Sequence, residues 1–165
     1  MDADTIKKIL NLAPLTFEGG FFRETYRSSV QVPTEALPER YGAARSAGTA
    51  IYYLLDASTF SGLHRLKSPE TYHFYLGDPV EMLMLHPSGD SEVVILGSDL
   101  AAGHLPQHTV PDGVWQGSRL VGTGCVALMG TTMYPGFSLE DFEAAPKALE
   151  RDYPQHAALI RALTR

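Results

Sequence analysis

From residue 48 to residue 132, apolar and polar side chains alternate over short runs, and each run is cut off by a turn. Runs at 48–56, 59–66, 70–76, 79–86, 91–96, 107–111, 114–121 and 124–132 are rich in β-branched and aromatic residues and predict strands. The breaks between them include Asp56-Ala57-Ser58, Lys67-Ser68-Pro69, Gly77-Asp78-Pro79, Pro87-Ser88-Gly89-Asp90, Gly97-Ser98-Asp99 and Pro111-Asp112-Gly113. These are the residue types that turns require. Parallel strands need a crossover of about a dozen residues or more, and no such stretch separates these runs. The pattern therefore predicts an antiparallel sandwich or barrel.

The flanks read differently. Thr5 to Leu12 places Ile6, Ile9 and Leu10 at helical spacing, and Pro14 ends that helix. Gly19-Gly20 introduces one more strand, Phe21 to Tyr26. Residues 31–47, with Pro33, Pro38 and Gly42, predict a surface loop with a helical turn. From Ser138 the chain is expected to turn helical, with Ser138 and Asp141 resembling a capping box. Pro154 opens a last helix with Ala157, Ile160 and Leu163 on one side. There is no internal repeat, so residues 1–165 are expected to form a single domain.

Composition narrows the class of function. Of the residues, 44% are hydrophobic and 19% charged, which suits a packed core. Lys and Arg number 13 against 19 Asp and Glu, a net charge of -6. That balance argues against nucleic acid and against an anionic membrane surface. No run of 18 apolar residues appears, and the first twelve residues do not read as a signal peptide. The single cysteine, Cys125, excludes an internal disulfide and predicts a small core residue. A cytoplasmic setting is the expectation.

Two stretches then carry chemistry. His64-Arg65-Leu66 leads to Glu70 and Gly77, and Pro111-Asp112-Gly113-Val114-Trp115-Gln116 follows. The first resembles the opening cupin motif, His-x-His-x3-Glu-x6-Gly, with Leu66 where the second His belongs. The second resembles the closing motif, Pro-x-Gly-x2-His, with Gln116 in place of the His. Further pieces resemble a branch of uncharacterised cupins: Glu18-Gly19-Gly20-Phe21-Phe22-Arg23-Glu24-Thr25-Tyr26-Arg27-Ser28, then His73-Phe74-Tyr75, Trp115-Gln116-Gly117 with Arg119-Leu120, and Pro135-Gly136-Phe137. Together they span roughly residues 5 to 163. The resemblance implies an all-β double-stranded β-helix, a jelly-roll barrel with short N- and C-terminal helices, commonly a homodimer. It implies no settled activity, because one fold hosts many functions.

Strand alternation sorts the candidate residues by face. If His64 points into the barrel, so does Leu66. Glu70, Tyr72 and Phe74 then share one face, with Thr71, His73 and Tyr75 on the other. Val114, Gln116 and Ser118 also share a face. The expected interior set is His64, Glu70, Tyr72, Gln116 and Ser118, a polar cluster in an apolar lumen. In the leading reading His64 is acid or base, Glu70 orients it and Tyr72 handles a second proton. Gln116, Arg23, Phe74 and Ser118 are then the expected ligand contacts. Arg suits a carboxylate or phosphate, and Arg23 and Glu24 face opposite ways, so one of the two can reach the pocket.

The bland alternative is that His64 and Glu70 merely satisfy each other. No cofactor is expected. His64, Glu70 and Gln116 would be the ligands if a divalent metal bound, yet one imidazole, one carboxylate and one amide make a poor set for zinc or ferrous iron. His73 improves the set only if a bulge turns it inward. Trp115 reads as a packing or dimer anchor, and His86, His104, His108 and His156 as surface or loop residues. The expectation is a protein that binds a small polar molecule. It is either a metal-free acid–base isomerase or epimerase on a sugar-like or nucleotide-like ligand, or a non-catalytic binding or sensor module. A metal-dependent dioxygenase or isomerase is the third alternative.

Overall fold

In a computed structural model describing residues 1–164, the alternating runs fold into two antiparallel sheets laid face to face. In chain order the elements are α1 (Ala3–Leu10), β1 (Ala13–Pro14), β2 (Phe21–Arg27), β3 (Gln31–Val32), β4 (Arg45–Ser46), β5 (Thr49–Asp56), β6 (Ser61–Arg65) and β7 (Glu70–Gly77). They continue with β8 (Val80–Leu85), β9 (Ser91–Leu96), β10 (Gln107–Val110), β11 (Trp115–Leu120), β12 (Val126–Met133), β13 (Glu143–Ala144), α2 (Leu149–Asp152) and α3 (Ala157–Ala162). The larger sheet runs β1-β2-β5-β12-β7-β10 and the smaller β13-β6-β11-β8-β9. Strands distant in sequence thus lie side by side, as in a jelly roll.

Period-two alternation divides each strand between two environments. Tyr53 and Leu55 of β5, Tyr72 of β7, Met82 and Met84 of β8 and Met129 of β12 turn inward and fill most of the lumen. On the outer face of the larger sheet, α1 lays Ile6 over Leu54, Val126 and Leu128. Outside the smaller sheet, Leu63, Leu83, Leu85 and Trp115 pack under Leu149, Tyr153, Ile160 and Leu163. Burying each such side chain contributes about 1.5–3 kcal/mol. Trp115 is therefore a packing residue, with the Arg65 guanidinium 4.6 Å from its ring centroid, and is not available as a dimer anchor.

Two further expectations are corrected. The segment from Ser138 is not a helix: a single turn at Leu139–Asp141 leads into β13, and the Ser138 hydroxyl makes no cap bond. Helix returns only at α2 and α3, with Pro154 opening the turn before α3. Cys125 is exposed, because it lies in the turn before β12 rather than in a strand. The edge of β2 is partly closed, since β1 pairs with Phe21 and Phe22 and leaves Arg23 to Arg27 beyond it.

Candidate functional site

The lumen is filled at one end and open at the other. At the open end lies a pocket with about 480 Å³ of empty space, its mouth included. Four elements wall it: Phe22 and Glu24 from β2, Thr49 and Ile51 from β5, Glu70 from β7, Thr131 and Met133 from β12. Leu66 follows from the end of β6, Phe137 from the loop after β12, and Leu15, Phe17 and Glu18 from the loop before β2.

Behind the wall of this pocket the cupin-like positions come together, and of them Glu70 reaches the pocket itself. Gln116 Nε2 donates to Glu70 Oε2 at 3.0 Å, and Tyr72 Oη donates to the same oxygen at 3.3 Å. Gln116 on β11 pairs in turn with His64 on β6. His64, Glu70, Tyr72, Gln116 and Ser118 are all buried. Burial raises the pKa of Glu70 and the nearby Glu18 charge adds to this, opposed by His64 and by hydrogen bonds from Thr131 and Gln116. Burial also raises Tyr72 far above the ordinary phenol range, with Glu70 second. Tyr72 is thus a permanent phenol that serves Glu70, and it does not line the pocket.

His64 is held from two sides. Its Nδ1 lies 2.7 Å from the Gly62 carbonyl, which can only accept, so Nδ1 carries the proton. Phe142 stacks on the ring at 5.0 Å. Nε2 is then the free lone pair, buried and without a hydrogen-bond partner, 4.0 Å from Glu18 Oε2. His64 itself is sealed from the pocket, and Glu18 stands between them. The loop that carries Glu18 is pinned in several places. Gly62 N donates to the Glu18 carbonyl at 2.8 Å, Tyr53 Oη to the Gly19 carbonyl at 3.0 Å, and Ser61 Oγ to Glu18 Oε1 at 2.7 Å. Strand alternation cannot reach a loop residue, so Glu18 escapes the sequence argument. Its one signal is its place at the head of the Glu18-Gly19-Gly20 signature.

Other expected residues fall outside the pocket. The Arg23 guanidinium lies 5.3 Å from the Tyr52 ring centroid, and Glu24 instead lines the pocket. Glu24 accepts from Arg27 Nε at 3.1 Å and Nη2 at 2.8 Å, and Arg27 Nη1 reaches the Phe137 carbonyl at 3.0 Å. Phe74 packs into the apolar lumen, and the Ser118 hydroxyl lies in the interior without a partner. Arg65 and Arg119 pair with Glu143 and Glu81.

The residues do not fit a resident transition metal of the kind the cupin motifs imply. Leu66 offers no donor, and Gln116 has turned its amide N–H toward Glu70. His73 faces outward, with Nε2 2.9 Å from Thr132 Oγ1. A bulge does occur in β7, where Leu128 pairs with Leu76 but Met129 with Phe74, yet it lies beyond His73 and leaves it outside. Among the described residues no group of three His, Cys, Asp or Glu is arranged to hold a metal. Nor is any helix long and apolar enough to cross a membrane.

Comparison with known proteins agrees with the fold. Protein SO0799 from Shewanella oneidensis has a solved structure that superposes with a TM-score of 0.85 at 37% identity, covering 100% of this chain and 98% of that one. A hypothetical protein from Leishmania major gives 0.87 at 33%, covering 99% of each chain. An uncharacterized protein of Saccharomyces cerevisiae, YML079W, is 29% identical over 133 residues. That match takes in 75% of this chain but 66% of the yeast protein, less than two thirds of its length. The family model described as Cupin superfamily (DUF985) matches residues 4–145, and the chain therefore belongs to that family.

Proposed function

We propose that this cupin binds a small polar molecule at the open end of its barrel and moves a proton on it, as a metal-free isomerase or epimerase does. Glu18, backed by His64, is one proton-transfer group, and Glu70 is the other. The observation that carries this reading is the His64–Glu18 pair: a buried imidazole with its tautomer fixed and its free nitrogen 4.0 Å from a pocket carboxylate. A proton taken up by Glu18 gains a second acceptor in Nε2, as in other oriented base pairs. Glu70, raised by burial, is the natural acid. His64 is thus a positioning residue rather than the group that touches the ligand. No step passes through a metal.

The test is C–H exchange in deuterated water. A polyhydroxylated carbonyl compound that raises the melting temperature should also lose a carbon-bound proton to solvent in the presence of the protein. Glu18→Gln should abolish the exchange. A compound that stabilises the fold but never exchanges would overturn the catalytic reading. That outcome would favour the binding-module alternative, which draws its support from the sealing of His64 and Tyr72.

A further inference from the structure

The polar groups of the pocket wall are carboxyl oxygens and the hydroxyls of Thr49 and Thr131, the latter hydrogen-bonded to Glu70. Glu18 and Glu70 line it, and no Lys, Arg or His does. Glu24 also lines it, but Arg27 already neutralises that carboxylate from the mouth. Behind the wall are two more buried acceptors without partners. In the neutral ring, whose proton Nδ1 holds, His64 Nε2 is an acceptor, and it lies 4.0 Å from Glu18 Oε2. Gln116 Oε1 is an acceptor left over once its amide N–H has gone to Glu70. Both side chains are more than nine-tenths buried. Buried acceptors need donors, and each unmet one costs about 1–3 kcal/mol.

The rest of the wall is aromatic. Phe17, Phe22 and Phe137 surround the mouth, with Phe17 stacked 6.2 Å from Phe137 and edge-on 4.9 Å from Phe142. Ring faces attract cations and repel anions. A phosphate or carboxylate entering here would meet the Glu18 carboxylate, the carboxyl oxygens of Glu70 and π-faces, and the one guanidinium at the mouth, Arg27, is already held by Glu24 and the Phe137 carbonyl. An ammonium group would meet charge, acceptors and aromatic faces together, and the net charge of -6 steers it inward.

From these observations we infer that the pocket takes a small ammonium-bearing molecule with hydroxyl groups, and rejects phosphate- and carboxylate-bearing ones. The inference rests on the pocket reading above and names the ligand class for it. It also removes the nucleotide-like ligand expected from the sequence.

The experiment is a protein-observed NMR titration at pH 7 with two size-matched series. One is ethanolamine, ethylene glycol and glycolate; the other is glucamine, sorbitol and gluconate. The readout is the amide signals of Gly20, two residues beyond Glu18, and of Thr131, a pocket residue whose hydroxyl bonds Glu70. In at least one series the amine should shift these signals with a Kd about tenfold or more below that of the acid. Added salt should weaken the amine most. An acid or neutral diol that binds as tightly as its amine overturns the ligand class and leaves the pocket standing. Failure of all six compounds to move these signals overturns both the class and the pocket.

Discussion

Asp141 grips Arg45 with both carboxylate oxygens, at 2.8 Å to Nε and 2.6 Å to Nη2, and the two side chains are 1% and 2% exposed. The remaining guanidinium hydrogens go to the carbonyls of Tyr41, Ala43 and Ala44. This pair locks the loop of residues 31–47 onto the segment that carries Phe137 and Phe142 over the pocket and His64.

Removing one partner of a buried ion pair leaves the other charge unmatched. Asp141→Ala should therefore cost about 3–5 kcal/mol in a urea titration. The double change Arg45→Met with Asp141→Leu should recover much of that loss, because an apolar pair carries no desolvation penalty. A loss below 1 kcal/mol in the single variant would show that Glu140, which also pairs with Arg45, already compensates.

Glu70 sets a pH dependence whose sign follows from its burial. The folded state holds its proton more tightly than the unfolded chain does, so the neutral form favours folding. That advantage is complete below about pH 4.5, the ordinary glutamate value, and is lost as pH rises through the raised folded pKa. Glu70→Gln keeps an acceptor for Gln116 and Tyr72 and never ionises. The variant should gain on the natural protein steadily from pH 4.5 upward and then level off. Melting temperatures of the two proteins across that range are the check, and a constant difference would contradict the assignment.

The barrel was legible in the sequence because alternation and turn chemistry are local, and eight strands with their inward faces follow from them. His64, Glu70, Tyr72, Gln116 and Ser118 were placed in the interior by the same period of two. What alternation could not supply lies where the strand pattern stops or shifts. Glu18, Phe17 and Phe137 sit in loops whose direction is set by contacts from other strands. The choice between Arg23 and Glu24 needed the face of β2 that turns to the lumen, and the register of β2 with β5 in the same sheet fixes that face. Cys125 follows the same rule: apolar residues come after it in sequence, but the turn, tied to Asp78 through its own backbone N–H, leaves its side chain outside.

The tautomer of His64 is open to direct measurement. A carbonyl at 2.7 Å demands a proton on Nδ1, so the neutral ring must carry its lone pair on Nε2. Nitrogen-15 spectra of the imidazole above its titration should show the Nδ1–H form. Glu18→Gln should leave that form in place, because the Gly62 contact and not Glu18 imposes it. An Nε2–H ring would remove the free lone pair and with it the proton relay to Glu18.

Gly77 and Gly113, each ending a cupin-like motif turn, separate backbone conformation from crowding. Both adopt positive φ, +104° and +75°. A Cβ on Gly113 would meet nothing within 4 Å, whereas one on Gly77 would lie 2.2 Å from the Val126 carbonyl oxygen. Gly113→Ala should then lose only the left-handed backbone cost, about 1–2 kcal/mol. Gly77→Ala should lose more, since β12 must move away from β7, and the Asp78 side chain that caps Cys125 and Val126 amides at the same turn must move with it. Denaturant titrations of the two variants rank them. Equal losses would mean that the β7–β12 end yields without strain, and that the close approach is incidental to the glycine at this turn.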